Sequence, residues 1–233
     1  MLNALLPTLV NALAVLMGSA IGLLLHGRLS NRFREILFQA IGLATVVIGM
    51  RDALATNHIP ILALSMILGA LAGEGLNLEG RLESLGGLLQ RRLYPRGDGE
   101  FIQGFVTAGL LFCVGAMTVV GALRAGVGGN GEIYYTKSLL DGHAAVFLAG
   151  ALGAGVMASA GCVLCVQGGL TLLFMIVGAN LPDYVVREVG AAGGLMILAI
   201  SINLLGIGKV RVGNLLPGML FAGVFIWFKH SLG

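Results

Sequence analysis

The chain has 233 residues, 57% of them hydrophobic and 11% charged, with a mean hydropathy of +0.95. An ordinary soluble domain carries about 25% charged residues, and disorder requires low hydrophobicity. Both classes are excluded, and an integral membrane protein is left. The net charge of +3 comes without a basic stripe interleaved with aromatics, so no nucleic-acid partner is expected; the lipid bilayer is.

Charge-free stretches mark the predicted spans, each needing about 20 apolar residues. Residues 1–27 carry no Lys, Arg, Asp or Glu. They lack the positive n-region of a signal peptide and read as a retained first span. Ile36–Met50 is short, but Phe33 extends it, and Arg34 and Arg51 can snorkel. Ala53–Gly73 is the third span. Leu76–Tyr94 differs: Leu78, Leu82, Leu85 and Leu89 form one stripe, while Glu79, Arg81, Glu83, Arg91 and Arg92 lie mostly elsewhere. This predicts an amphipathic helix in the membrane surface, followed by a turn over 95–99. Phe101–Leu123 is the fourth span. Gly142–Pro182 is about twice the needed length, so it predicts two helices with a turn near Ser159-Ala160-Gly161. Its first half crosses only if it begins near Lys137. Val189–Gly208 and Val212–Phe228 bring the total to about eight. Tyr94, Tyr134, Tyr135, Tyr184 and Trp227 fall at proposed span ends, as interfacial aromatics do. The apolar runs are continuous, without the period of 2 of a membrane barrel, so the fold class is an all-α polytopic membrane protein.

Leu29-Ser-Asn31 resembles Leu181-Pro-Asp183, and Gly42-Leu43 resembles Gly194-Leu195 at the same offset. Leu64, Leu68 and Ala70 match Leu216, Leu220 and Ala222 at that offset too. Spans one to three then correspond to spans six to eight. Corresponding spans are five crossings apart, an odd number, so the second unit is inverted, as in many secondary transporters. The single membrane domain divides into a first repeat (1–76), an interfacial linker (77–100), spans four and five (101–160) and a second repeat (161–233).

With eight spans one face holds Arg28, Arg32, Arg34, Arg81, Arg91, Arg92, Arg96, Lys209 and Arg211. The other holds Arg51, Arg124, Lys137, Arg187 and Lys229. Nine against five predicts the first face as cytoplasmic.

No H-E-x-x-H, G-x-S-x-G or P-loop motif occurs. An enzyme is not expected, nor a cofactor or metal. Cys113, Cys162 and Cys165 lie in apolar runs and read as packing residues. The most informative segment holds Lys137, Ser138, Asp141, Gly142 and His143. Lys137 and Asp141 can pair at i, i+4. Two readings stand: a wetted interfacial pair, with Asp141 capping a helix that begins at Gly142, or an acid at membrane depth, which is functional by default. Span four clusters Gly115, Thr118 and Gly121, and span six carries Gln167, Gly168, Gly169 and Thr171. Span seven carries Gly193, Gly194 and Asn203. A buried amide needs a partner, and small residues admit another backbone or a solute. These polar groups read as interhelical glue or as the lining of a solute pathway.

Four motifs, in this order, resemble the bacterial membrane family of YqgA and YdfK. They are Phe112-Cys-Val-Gly-Ala-Met-Thr-Val-Val-Gly121, Lys137-Ser-x-x-Asp-Gly142, Gln167-Gly-x-Leu-Thr-Leu172 and Val210-x-Val-x-Asn-Leu-Leu-Pro217. The likeness runs over nearly the whole chain. It departs where the family pattern has Asp-Gly after the fourth span and this chain has Arg124-Ala125-Gly126. The resemblance implies a prokaryotic inner-membrane protein presumed to transport a small solute or ion, with no assigned substrate. A secondary transporter or facilitator is therefore expected, with a channel or a non-transporting scaffold as alternatives. Gly-rich faces lead us to expect a homodimer.

Overall fold

The computed structural model describes residues 2–26, 30–94, 100–177 and 181–232. Arg28, Leu29, Arg96 and the turn expected over 95–99 lie outside the described residues. The described elements are ten α-helices and one 3-10 turn, with no strand among them. In order they are α1 (Leu2–Leu25), α2 (Asn31–Ala53), α3 (Ile59–Gly75), α4 (Leu78–Leu93), α5 (Glu100–Cys113), α6 (Ala116–Gly128), α7 (Glu132–Leu152), α8 (Gly155–Val177), α9 (Asp183–Leu204), the 3-10 turn (Val212–Leu215) and α10 (Pro217–Ser231).

Five of these helices are long and apolar enough to cross a membrane: α1, α2, α8, α9 and the 3-10 turn with α10. The number rises to seven if α3–α4, bent by 54°, and α5–α6, bent by 57°, each make one span. α4 is the charged segment expected to lie in the surface. The chain turns into it at Asn77, which takes a left-handed conformation (φ 48°) that asparagine tolerates.

Two boundaries differ from expectation. The long run after Gly142 breaks at Gly153-Ala154 rather than at Ser159–Gly161, because Gly153 (φ 74°, ψ −155°) takes a backbone conformation open essentially to glycine alone. Ser159 is fully buried inside α8, its hydroxyl bonded to the Val156 carbonyl. Span four is two helices, broken where Gly115 (φ 116°, ψ 164°) occupies a region open only to glycine.

Close contacts fix the helix directions. Pro7, Ala14, Gly18 and Gly22 of α1 meet Gly131, Gly142, Gly142 again and Val146, so α1 and α7 run parallel. A Cβ on Gly18 would strike the Gly142 carbonyl. Gly142 is thus a contact inside α7, not the start of a helix. Gly42, Gly49 and Ala53 of α2 meet Leu205, Leu198 and Gly194 of α9, which is antiparallel packing. Gly69 and Gly73 of α3 meet Gly218 and Asn214, again antiparallel. Phe101, Gly104 and Gly109 of α5 lie beside Gly155, Val156 and Cys162, and Gly126 of α6 lies beside Thr171 and Met175. The broken pair therefore follows α8 along its length.

The starts of α1 and α8, of α2 and α9, and of α3 and the 3-10 turn are 153, 152 and 153 residues apart. The contacts Gly42–Leu205 and Ala53–Gly194 exchange under a shift of 152 residues. At the centre, Val15, Leu148, Val156, Val163 and Met196 are completely buried and form one cluster. Outward faces such as Leu43, Val47, Leu71, Ile176 and Leu220 remain exposed, as lipid contact requires.

A buried ion pair between three helices

Asp141 is the tenth of the 21 residues of α7, far from either end. Lys137 stands one turn before it on the same face. Its Nζ donates to Asp141 Oδ1 at 2.8 Å and Oδ2 at 2.7 Å. Lys137 is 5% exposed and Asp141 6%, so the wetted interfacial reading is corrected: the pair lies inside the helix bundle. Lys137 is accordingly no loop charge and leaves the count of topology signals.

α1 and α8 complete the arrangement. Asn11 Nδ2 donates to Asp141 Oδ2 at 2.9 Å and to Gln167 Oε1 at 3.1 Å. Asn11 and Gln167 are fully buried and are the tenth residue of α1 and the thirteenth of α8. A carboxylate, an ammonium and two amides thus meet midway along three helices. Removing charges from water costs several kcal/mol per ion, offset here by the mutual pairing and the Asn11 hydrogen bond. Asn11 Oδ1, Gln167 Nε2 and Thr8 Oγ1 have no hydrogen-bond partner although all three residues are buried.

A second polar layer adjoins the first. Ser138 Oγ donates to the Tyr134 carbonyl at 2.6 Å, and Thr171 Oγ1 donates to the Gln167 carbonyl at 2.7 Å. Tyr134 is fully buried, which corrects its placement in an interfacial belt; its hydroxyl donates to the Thr118 carbonyl at 2.9 Å. Thr118 Oγ1 reaches back across the helix break to the Phe112 carbonyl at 3.3 Å. Gly121 admits the Tyr134 ring, and Gly193 packs against Gly115 at the break. Gly194 admits Ala53, and nothing lies within 4 Å of a Cβ placed on Gly169. A Cβ on buried Gly168 would meet only Thr8 Cγ2, at 3.9 Å.

The structure therefore gathers Thr118, Lys137, Ser138, Asp141, Gln167 and Thr171 around the α7–α8 contact. Asn203 is elsewhere: it is exposed and holds the α9–α10 connection, with Nδ2 donating to the Val210 carbonyl at 2.8 Å and Oδ1 accepting from Val210 N at 2.7 Å. Its role in a pathway is corrected to that of a loop staple. Sequence reasoning missed Thr8 and Asn11. Their signal is present: two polar side chains on one face of an apolar first span. It also missed Glu188, buried at the start of α9, which accepts from Thr56 Oγ1 at 2.5 Å and Asn57 N at 3.0 Å.

Residues 6–227 match the model of the family described as protein of unknown function DUF554. The chain is 29% identical over 232 residues to the uncharacterized membrane protein YdfK of Bacillus subtilis (strain 168), covering 97% of each chain. It is 33% identical over 221 residues to the uncharacterized protein YqgA of Escherichia coli (strain K12), covering 91% of this chain and 92% of that one. No solved structure matches. A match from residue 6 to residue 227, carried by a chain of packed apolar helices, means that this membrane protein belongs to the DUF554 family.

Proposed function

We propose that the protein is a small secondary transporter or facilitator of the bacterial inner membrane, moving a small solute or ion past the Lys137–Asp141 pair. One observation carries this reading: a charge pair midway along α7, inside the bundle, beside three buried polar atoms without partners. Ionisable groups at such depth are expensive and mark pathways. In inverted-repeat transporters the site lies near the midplane where the repeats meet, beside interrupted helices. Here α1 and α8, equivalent at the 152-residue offset, meet at Asn11 and Gln167, and α5–α6 supplies an interrupted helix. The reading takes α1, α2, α3, α5–α6, α7, α8, α9 and α10 as eight crossings and α4 as interfacial. With Lys137 removed from the loops, Lys and Arg divide nine against four, which favours a cytoplasmic α1–α2 connection.

Two copies are inferred to pair through α2. Of the five long apolar helices it buries the smallest share of its surface. Arg32, Glu35 and Gln39 line a surface recess on it, on one helical face. A two-fold axis along the membrane normal would bring Arg32 toward the partner's Glu35. Crosslinking in native membranes that yields only monomer counts against this pairing.

Reconstitution in liposomes with a panel of labelled solutes tests transport. The expected result is saturable uptake with counterflow, lost in the Lys137→Gln/Asp141→Asn double variant. Non-saturating flux would make the protein a channel, and no flux for any solute, with a stable partner on purification, would make it a scaffold.

A further inference from the structure

The unpartnered atoms beside the ion pair are of different kinds, and this restricts what can occupy the site. Asn11 Oδ1 is an acceptor, Gln167 Nε2 is a donor, and Thr8 Oγ1 can act either way. They lie close together. Thr8 precedes Asn11 by one helical turn, Asn11 is bonded to Gln167, and a Cβ placed on Gly168 would meet Thr8 Cγ2 at 3.9 Å. Thr8, Asn11, Lys137, Asp141 and Gln167 are all buried, so only a small solute could be enclosed among them. The neighbouring charges sum to zero, with Lys137 facing Asp141. A lone cation would oppose Lys137 and leave Gln167 Nε2 aimed at positive charge. A lone anion would confront Asp141. A solute carrying both charges gives every group a partner.

We propose that Thr8, Asn11, Lys137, Asp141, Gln167 and Gly168 form a binding site for a small zwitterionic amino acid of the size of glycine, alanine or serine. Its ammonium donates to Asn11 Oδ1 and Asp141. Its carboxylate accepts from Gln167 Nε2, the Thr8 hydroxyl and Lys137. The internal Lys–Asp pair then stands in for the solute when the site is empty, so loading exchanges one neutral pairing for another. This inference rests on the transport reading and names its substrate class.

The test is equilibrium binding of radiolabelled glycine, alanine and serine to the full chain in lipid nanodiscs, with methylamine and acetate as single-charge competitors. At least one amino acid should bind saturably, and neither competitor should displace it. Thr8→Val should weaken binding about tenfold, the effect of one lost hydrogen bond. Gly168→Val should abolish binding, since its added carbons fill the ligand's space while a Cβ there meets only Thr8 in the free protein; thermal melting checks that the variant folds, and Thr8→Val decides if it does not. No binding by any of the three overturns the proposal. So does equal displacement by methylamine or acetate, or undiminished binding in folded Gly168→Val. Absence of binding together with Asp141-dependent flux of another solute would sink this inference and leave the transport reading standing. Binding without flux would do the reverse.

Discussion

At the scale of single residues, the energetics of Lys137 and Asp141 separate a structural role from a transport role. Asp141→Asn keeps the side chain's shape but leaves a buried ammonium without its counter-ion. Breaking a buried pair from one side costs about 3–5 kcal/mol, whereas replacing both partners together is often neutral. We therefore expect Asp141→Asn to lower the melting midpoint markedly and Lys137→Met/Asp141→Leu to restore most of it. Uptake should be absent in both. Recovery of uptake along with stability in the double variant would reduce the pair to packing. Asn11→Ala should also be costly, because it strips one hydrogen bond from Asp141 and another from Gln167 at once. Asp141 was singled out from the sequence because an acid beside an apolar run is rare enough to notice. Asn11 was not, because an uncharged amide near the chain start does not interrupt a charge-free stretch.

At the scale of elements, most helices were legible because hydrophobic length and charge placement alone determine them: α1, α2, α4 and α9 fall close to their expected runs. The break at Gly115 and the α7–α8 turn were not, since a glycine-rich apolar run reads the same whether its glycines pack against a neighbour or turn the chain. Gly142 packs, while Gly115 and Gly153 turn. Gly115→Ala should cost about 1–3 kcal/mol from backbone strain alone, with its Cβ also reaching Ile197 Cδ1 at 3.2 Å. If the break serves transport, uptake per folded molecule should fall as well; unchanged uptake would confine the break to folding. α4 carries a pH dependence. Burial against the 3-10 turn pushes the Glu79 carboxyl above its ordinary value of 4.5, with Glu83 adding to the rise, while the Gly213 N–H and Arg211 pull the other way. A raised value means that the folded state holds the proton more tightly. The associated stability is full below about 4.5 and is lost as pH rises toward the folded value. Hydrogen exchange of α4 should accelerate over that window, and Glu79→Gln should flatten the profile.

At the scale of the whole molecule, helix directions and crossing number constrain each other. α7 runs parallel to α1. On the proposed reading, in which α1, α2 and α3 cross in turn and the charged α4 lies in the interface, α5–α6 must carry the chain across once more for α7 to begin on the same side as α1. A re-entrant α5–α6 would leave α7 antiparallel, contrary to the contacts of Gly18 and Gly22. The continuous run of α5 and α6 beside α8 makes the same demand. The antiparallel pairings α2–α9 and α3–α10 are those that the proposed inversion of two units about an axis in the membrane plane would give, each helix packing against its own counterpart. On the proposed reading, eight crossings would put both ends of the chain on one side, and the nine-to-four division of basic residues favours the periplasmic or external side. Reporter fusions at the two ends should therefore give the same compartment, and a reporter inserted in the α1–α2 connection should give the opposite one. Ends on opposite sides would mean seven crossings, and would remove both the inversion and the placement of the Lys137–Asp141 pair between two related units.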